Sequence, residues 1–222
     1  MKTTPFHSPR GCLSYLVLDS ISKEAAIIDP SEEIADEVYL SALVEHDATL
    51  CYVIETHTHA DHISSASKIA RETGARIVRH KSAPSPHKDI AVAGGERLPL
   101  GASELEIIAT PGHTNESISI YADGAVFTGD TLLIGGTGRT DFQVGSSIAL
   151  YDSLHTALVS LPDSTIVYPA HDYKGRTAST LGAERASNPR FLLQRDEFIE
   201  TLDAHHPQKP ELFDAAIAAN SL

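Results

Sequence analysis

Two periods alternate along the chain. Ser14–Asp19 and Ala25–Asp29, the second closed by Pro30, are apolar runs of strand length. Between Glu32 and Glu45, Ile34, Val38 and Ala42 recur at helical spacing with acids opposite them, which predicts a helix. Leu50–Glu55 is a β-branched and aromatic run that reads as a buried strand. A helix over Ser64–Thr73 stops at Gly74, and Arg76–Arg79 is a further short strand. Residues 80–101 hold Pro84, Pro86, Gly94, Gly95 and Pro99 without a sustained period. A long loop with at most one short strand is expected there.

The second half repeats the alternation. Leu105–Thr110, Ser117–Ala122 and Ala125–Thr128 read as strands, with Asp123-Gly124 as a hairpin turn between the last two. Ile148, Tyr151, Leu154 and Leu158 predict a helix over Ser147–Leu161. Thr165–Tyr168 is the last expected strand, and helices follow at about Thr180–Ala186 and Arg195–Leu202. No repeat, low-complexity tract or linker interrupts this order. A single mixed α/β domain over residues 1–222, with a short C-terminal helical tail, is expected.

Composition narrows the partners. The 222 residues are 41% hydrophobic, enough to fill a core. Thirty acidic residues against 17 basic ones leave a formal charge of −13. Such a chain is repelled by phosphate backbones and anionic bilayers, so neither nucleic acid nor membrane is expected as a partner. Cys12 and Cys51 are far apart and each has apolar neighbours, which predicts reduced core thiols. Leu13–Leu18, interrupted by Ser14 and Tyr15, is too short for a membrane span or a signal core. The first ten residues lack a transit-peptide pattern, and a cytoplasmic location is expected.

The 12 histidines change the picture, because they outnumber the 7 tyrosines and the 6 phenylalanines. Thr56-His57-Thr58-His59-Ala60-Asp61-His62 places four potential metal ligands within six residues, just past a predicted strand. Thr110-Pro111-Gly112-His113, Thr128-Gly129-Asp130 and Tyr168-Pro169-Ala170-His171 each present one more at a strand end. Singly, a turn histidine or a Gly-Asp turn means little. Together they offer seven imidazole and carboxylate ligands, which suit Zn, Fe, Mn or Ni. Seven exceed the needs of one ion. They would make two metal sites, or one site with a shell of hydrogen-bond partners.

The run His57-Thr58-His59-Ala60-Asp61-His62, with His113, Asp130 and His171 downstream, resembles the metallo-β-lactamase superfamily. The resemblance implies a four-layer αββα sandwich with metal at one edge, between two sheets. Leu132–Gln143, containing Gly138-Arg139-Thr140-Asp141-Phe142, is similar to a segment of the persulfide dioxygenases. Tyr168–Tyr173 and Asn188-Pro189-Arg190 match that family too. Thr137 departs from it, since many members carry Cys there. The chain ends about 50 residues after His171, whereas the similar glyoxalase II hydrolases carry a longer helical C-terminal domain.

That resemblance implies one Fe(II) per chain held by His57, His113 and Asp130, with glutathione persulfide and O2 as substrates and sulfite and glutathione as products. It places His59, Asp61, His62 and His171 beside the metal, or around a conditional second one. It suggests a homodimer. Arg139 is a candidate for the glutathione carboxylate or for a carboxylate close to the metal, or else for an ion pair with Asp141 or Asp172. Tyr173 is a candidate to face the substrate. The alternative is a dinuclear zinc thioester hydrolase acting on acylglutathione. His46, His80, His87, His155, His205 and His206 receive no role.

Overall fold

The computed structural model describes residues 1–222. It holds two six-stranded mixed sheets with helices on both outer faces. The first sheet runs in chain order: β1 (Lys2–His7), β2 (Leu13–Leu18), β3 (Glu24–Ile28), β4 (Thr49–Ile54), β5 (Arg76–His80) and β6 (Ile90–Val92). The second contains β7 (Arg97–Leu100), β8 (Ser103–Ala109), β9 (Ile118–Ala122), β10 (Ala125–Gly129), β11 (Ile166–Pro169) and β12 (Ser179–Thr180).

Alternation along the strands explains the layers. Leu13, Tyr15 and Val17 of β2 face the second sheet and meet Leu105, Ile107, Ile118 and Phe127 in the central core. Leu16 and Leu18 point the other way, against α1 (Asp36–Glu45) and α2 (Ala66–Thr73). On the far side, Val126 and Val167 pack under α3 (Ser147–Asp152), α4 (Leu181–Ser187) and α5 (Arg195–Asp203). This is the four-layer αββα sandwich expected from the sequence. Tyr15 fastens the two sheets: its ring lies 5.2 Å from Phe127, and its hydroxyl donates to the Pro169 carbonyl at 2.6 Å.

Several local expectations change. Lys2–His7 is an edge strand, where Pro5 is tolerated. Residues 80–101 contain two short strands rather than at most one, each too brief to show a period. The first helix buries Tyr39 and Leu43, while Val38 is 46% exposed. The stripe through Ile34, Val38 and Ala42 was therefore out of phase, because Ile34 lies before the helix and is buried by the preceding turn. The helix expected over Ser147–Leu161 is α-helical only to Asp152. It continues as a wide π-type turn to Ala157 and a tight 3-10 turn to Ser160. A further helix, α6 (Phe213–Asn220), occupies what the sequence left as tail.

Gly112 shows how closely this scaffold holds its turns. Its φ is +143°, and a Cβ there would lie 2.3 Å from Leu150 Cα in α3. Overpacking of this kind costs about 1–3 kcal/mol. Gly112→Ala is expected to lower stability by about that amount, read as a shift in the urea midpoint at constant slope. An unchanged midpoint would show that α3 can move aside.

Candidate metal centre

Every metal-ligand candidate sits past a strand's C-terminal end, at one edge of the sandwich. β4 delivers the His57–His62 run, β8 delivers His113, β10 delivers Asp130 and β11 delivers His171. Backbone bonds lock these ends together. Ile118 N–H donates to Thr56 O at 2.9 Å, Ala170 N–H to Gly129 O at 2.9 Å, and Leu13 N–H to Ala170 O at 2.7 Å. Gly129 adopts φ +52°, and a Cβ there would meet Thr56 Oγ1 at 2.5 Å, so only glycine lets β10 approach β4 here.

His57, His113 and Asp130 bring one ligand atom each within 4.8 Å of one another. His113 Nδ1 donates to the Arg139 carbonyl at 2.7 Å, which leaves Nε2 free as a donor to metal, 3.6 Å from Asp130 Oδ2. His57 Nδ1 donates to Thr56 Oγ1 at 2.9 Å, and that hydroxyl donates to Asp29 Oδ2 at 2.7 Å. Burial, then the neighbouring His59 and His113, hold His57 well below the usual imidazole range. A neutral imidazole is the form that binds metal.

A second group gathers beside the first. Cys12, Asp61, His62 and His171 also place their ligand atoms within 4.8 Å of one another. Asp61 Oδ2 accepts from Cys12 Sγ at 3.2 Å, His62 Nδ1 at 3.3 Å and His171 Nε2 at 2.8 Å. His171 Nδ1 donates to Asp130 Oδ1 at 2.6 Å. Burial opposes charge on His171, but the two carboxylates outweigh it and raise its pKa well above normal. For Asp130, burial is likewise outweighed by His171, which holds the carboxyl far down. Hydrogen bonds to Asp61 and Cys12 lift His62 to about 10 against its burial.

His59 belongs to neither group. Its Nε2 donates to Asp29 Oδ1 at 3.1 Å, and its buried Nδ1 has no partner. Three further residues contribute to the site. Cys12, expected as a plain core thiol, is buried but bonded to Asp61. Asp29 accepts from Thr56 N–H, Thr56 Oγ1 and His59, and it showed the same signal as the others, an acid closing a strand. Asn220 of α6 donates to the carbonyls of His59 and His62 and so caps the ligand loop from the C-terminal end. Nothing in the local sequence marks Asn220.

A cavity of about 450 Å³ opens over His113, Asp130, Asp61 and His171. Tyr173, 77% exposed, lines it and lies parallel to His171 at 6.0 Å. Arg139 lines it as well, but its fork closes on Asp141 at 2.5 and 2.6 Å. Its other N–H groups donate to the carbonyls of Pro207 and Gln208, and its guanidinium lies 4.3 Å over Phe142. The fork offered by the sequence to a substrate carboxylate is thus occupied by Asp141, and the remaining N–H groups pin the tail. Asp172, the other acid considered for Arg139, pairs instead with Arg176 at 2.6 Å.

A profile of the metallo-beta-lactamase superfamily matches residues 7–171. The chain belongs to that superfamily. It is 38% identical to the mouse protein "Persulfide dioxygenase ETHE1, mitochondrial" over 96% of this chain and 84% of that one. It is 34% identical to a hydroxyacylglutathione hydrolase of Pseudomonas savastanoi pv. phaseolicola, over 79% of this chain and 66% of the relative. The crystal structure of ETHE1 from Myxococcus xanthus superposes with a TM-score of 0.95 at 39% identity, covering 100% of this chain and 98% of the other. No helix here is long and apolar enough to cross a membrane.

Asp29 supports two histidines at once, and outer partners of this kind are worth about 10–100-fold in metal affinity. Asp29→Ala is expected to weaken metal binding by about that factor, measured by competition with a chromogenic chelator. Unchanged affinity would reduce Asp29 to a backbone support.

Proposed function

We propose that this protein is an iron(II)-dependent persulfide dioxygenase that acts on glutathione persulfide. The observation that carries the reading is the donor set of His57, His113 and Asp130, of which His113 and Asp130 line a cavity. Two imidazoles and one carboxylate suit iron(II) and leave one face of an octahedron free for substrates. The 38% identity to the mouse persulfide dioxygenase over 96% of this chain supports the same chemistry.

Iron bound at these three residues would supply the redox chemistry toward O2 that no side chain here possesses. The chain's own residues do the rest. Thr56 and the Arg139 carbonyl fix the ring orientation of His57 and His113. His171 keeps Asp130 ionised and oriented from the side, and Asp61, which also accepts from His62 and Cys12, holds His171 in place. His59 braces the turn through Asp29. Tyr173 offers an exposed ring and hydroxyl to the substrate at the cavity mouth. Holding the persulfide sulfur and O2 in one enclosed place removes much of the entropic barrier. The balance is persulfide, O2 and water in, glutathione, sulfite and protons out.

The deciding experiment is O2 uptake by iron-loaded protein given glutathione persulfide. Uptake with sulfite formed, absent from the zinc-loaded protein, is the expected result. Hydrolysis of lactoylglutathione without O2 uptake would overturn it in favour of the acylglutathione hydrolase. His113→Ala and Asp130→Ala are each expected to lose bound iron and turnover together. Full iron and full rate in either variant would overturn the ligand assignment.

A further inference from the structure

One buried side chain joins the two turns that carry His57 and His113. Glu116 is 4% exposed, and its Oε1 accepts from Thr58 N–H at 2.7 Å and from the Thr114 hydroxyl at 3.2 Å. Thr58 directly follows His57, and Thr114 directly follows His113. A single oxygen is therefore held by the residue after each imidazole. Thr114 is itself fixed, since its carbonyl accepts from Gly112 N–H at 2.8 Å and its hydroxyl lies 2.8 Å from Ser117 Oγ. The bond from Ile118 N–H to Thr56 O joins the same turns on the strand side of His57. Glu116 adds a second fastening beyond the histidine, and the two together fix where His57 stands relative to His113.

Hydrogen bonding alone does not call for a carboxylate here. A glutamine of the same shape would accept the same N–H and O–H. Burying a carboxylate without a cation is costly, and both partners of Oε1 are uncharged. Arg79 lines the same small cavity behind His57, yet it forms no ion pair with Glu116, and its buried Nη1 has no hydrogen-bond partner. His59 feels the charge of Glu116 but is already paired with Asp29. The negative charge thus faces the ligand group. A divalent ion held by two neutral imidazoles and Asp130 keeps a net positive charge, in a place where burial weakens screening. A carboxylate one hydrogen bond behind the ligand turns compensates that charge, which an amide could not do.

We infer that Glu116 is a positioning residue of the metal centre, which sets the spacing of His57 and His113 and supplies a buried counter-charge to the bound ion. This rests on the ligand assignment in the reading above and not on the choice of substrate. Glu116 lines no part of the larger cavity and acts through the two turns.

The test measures Fe(II) and Co(II) affinity by competition with a chromogenic chelator, with no substrate present, on wild type, Glu116→Gln, Glu116→Asp and Glu116→Ala. The Co(II) absorption spectrum reports ligand geometry, and the urea midpoint in excess chelator reports the fold. Outer partners of metal ligands are worth about 10–100-fold in affinity. Glu116→Gln keeps the acceptor and removes the charge. It is expected to bind both ions about 10-fold more weakly, with the spectrum and the midpoint of wild type. Glu116→Ala removes both, and a loss nearer 100-fold with an altered Co(II) spectrum is expected. Glu116→Asp, charged but one methylene shorter, should recover part of that loss.

Wild-type affinity in Glu116→Gln would overturn the counter-charge. Wild-type affinity and spectrum in Glu116→Ala would overturn the spacing. Affinities that fall only in step with the midpoint would overturn both and leave Glu116 a residue of the fold. No arm of the test uses a persulfide. If iron-loaded wild type takes up no O2 with glutathione persulfide, the dioxygenase reading fails, while the role of Glu116 is decided by metal affinity alone.

Discussion

An imidazole held between two carboxylates organises this edge of the sandwich. His171 donates to Asp130 at 2.6 Å and to Asp61 at 2.8 Å, so residues from three separate strand ends share one charge network. Burying any one of these charges alone would cost several kcal/mol. Buried together they satisfy one another, and each becomes a condition for the others. Asp61 follows β4 of the first sheet, whereas Asp130 and His171 follow β10 and β11 of the second. The network therefore fixes how the two sheets meet at the site, as Tyr15 does deeper in the core.

The supports around it follow the same logic at greater distance. Asp29 takes a left-handed φ of 50° and accepts three hydrogen bonds, two from Thr56 and one from His59. Such a conformation persists where the surroundings overdetermine it. Gln143 and Val144, at φ 49° and 57°, form a second strained stretch, and Gln143 Nε2 returns to the Thr58 carbonyl at 2.6 Å. Strain on both sides of the His57–His62 run keeps that run in one shape. α6 closes it from below through Asn220, and the tilted contact of Phe142 with Phe213 at 4.8 Å joins the loop carrying Arg139 to the same helix.

What the sequence disclosed depended on whether the signal was local. The strands of the central core were legible because each is an apolar run bounded by turn residues. The strand-end positions of His57, His113, Asp130 and His171 followed from those strands. The phase of α1 was not legible, since its burial is decided by Tyr39 reaching Ser14 and Ser31 across the chain. Cys12 looked like any small apolar residue. Its contact with Asp61 arises only when the turn after β1 folds against the end of β11. Asn220 was further from reach, because its partners His59 and His62 lie about 160 residues away and no pattern near it announces them. Arg139 was legible as a fork seeking a carboxylate, and Asp141, two residues on, answered before any ligand could.

The overall charge sets a problem that the cavity resolves locally. A chain of formal charge −13 repels an anionic ligand at long range. At physiological salt that repulsion fades beyond about 8 Å, so capture depends on the charges at the wall itself. There, Asp61 and Asp130 would repel a carboxylate further if His171 did not sit between them. With those two acids compensated and Arg139 committed to Asp141, Arg190 remains as the wall's uncommitted full charge.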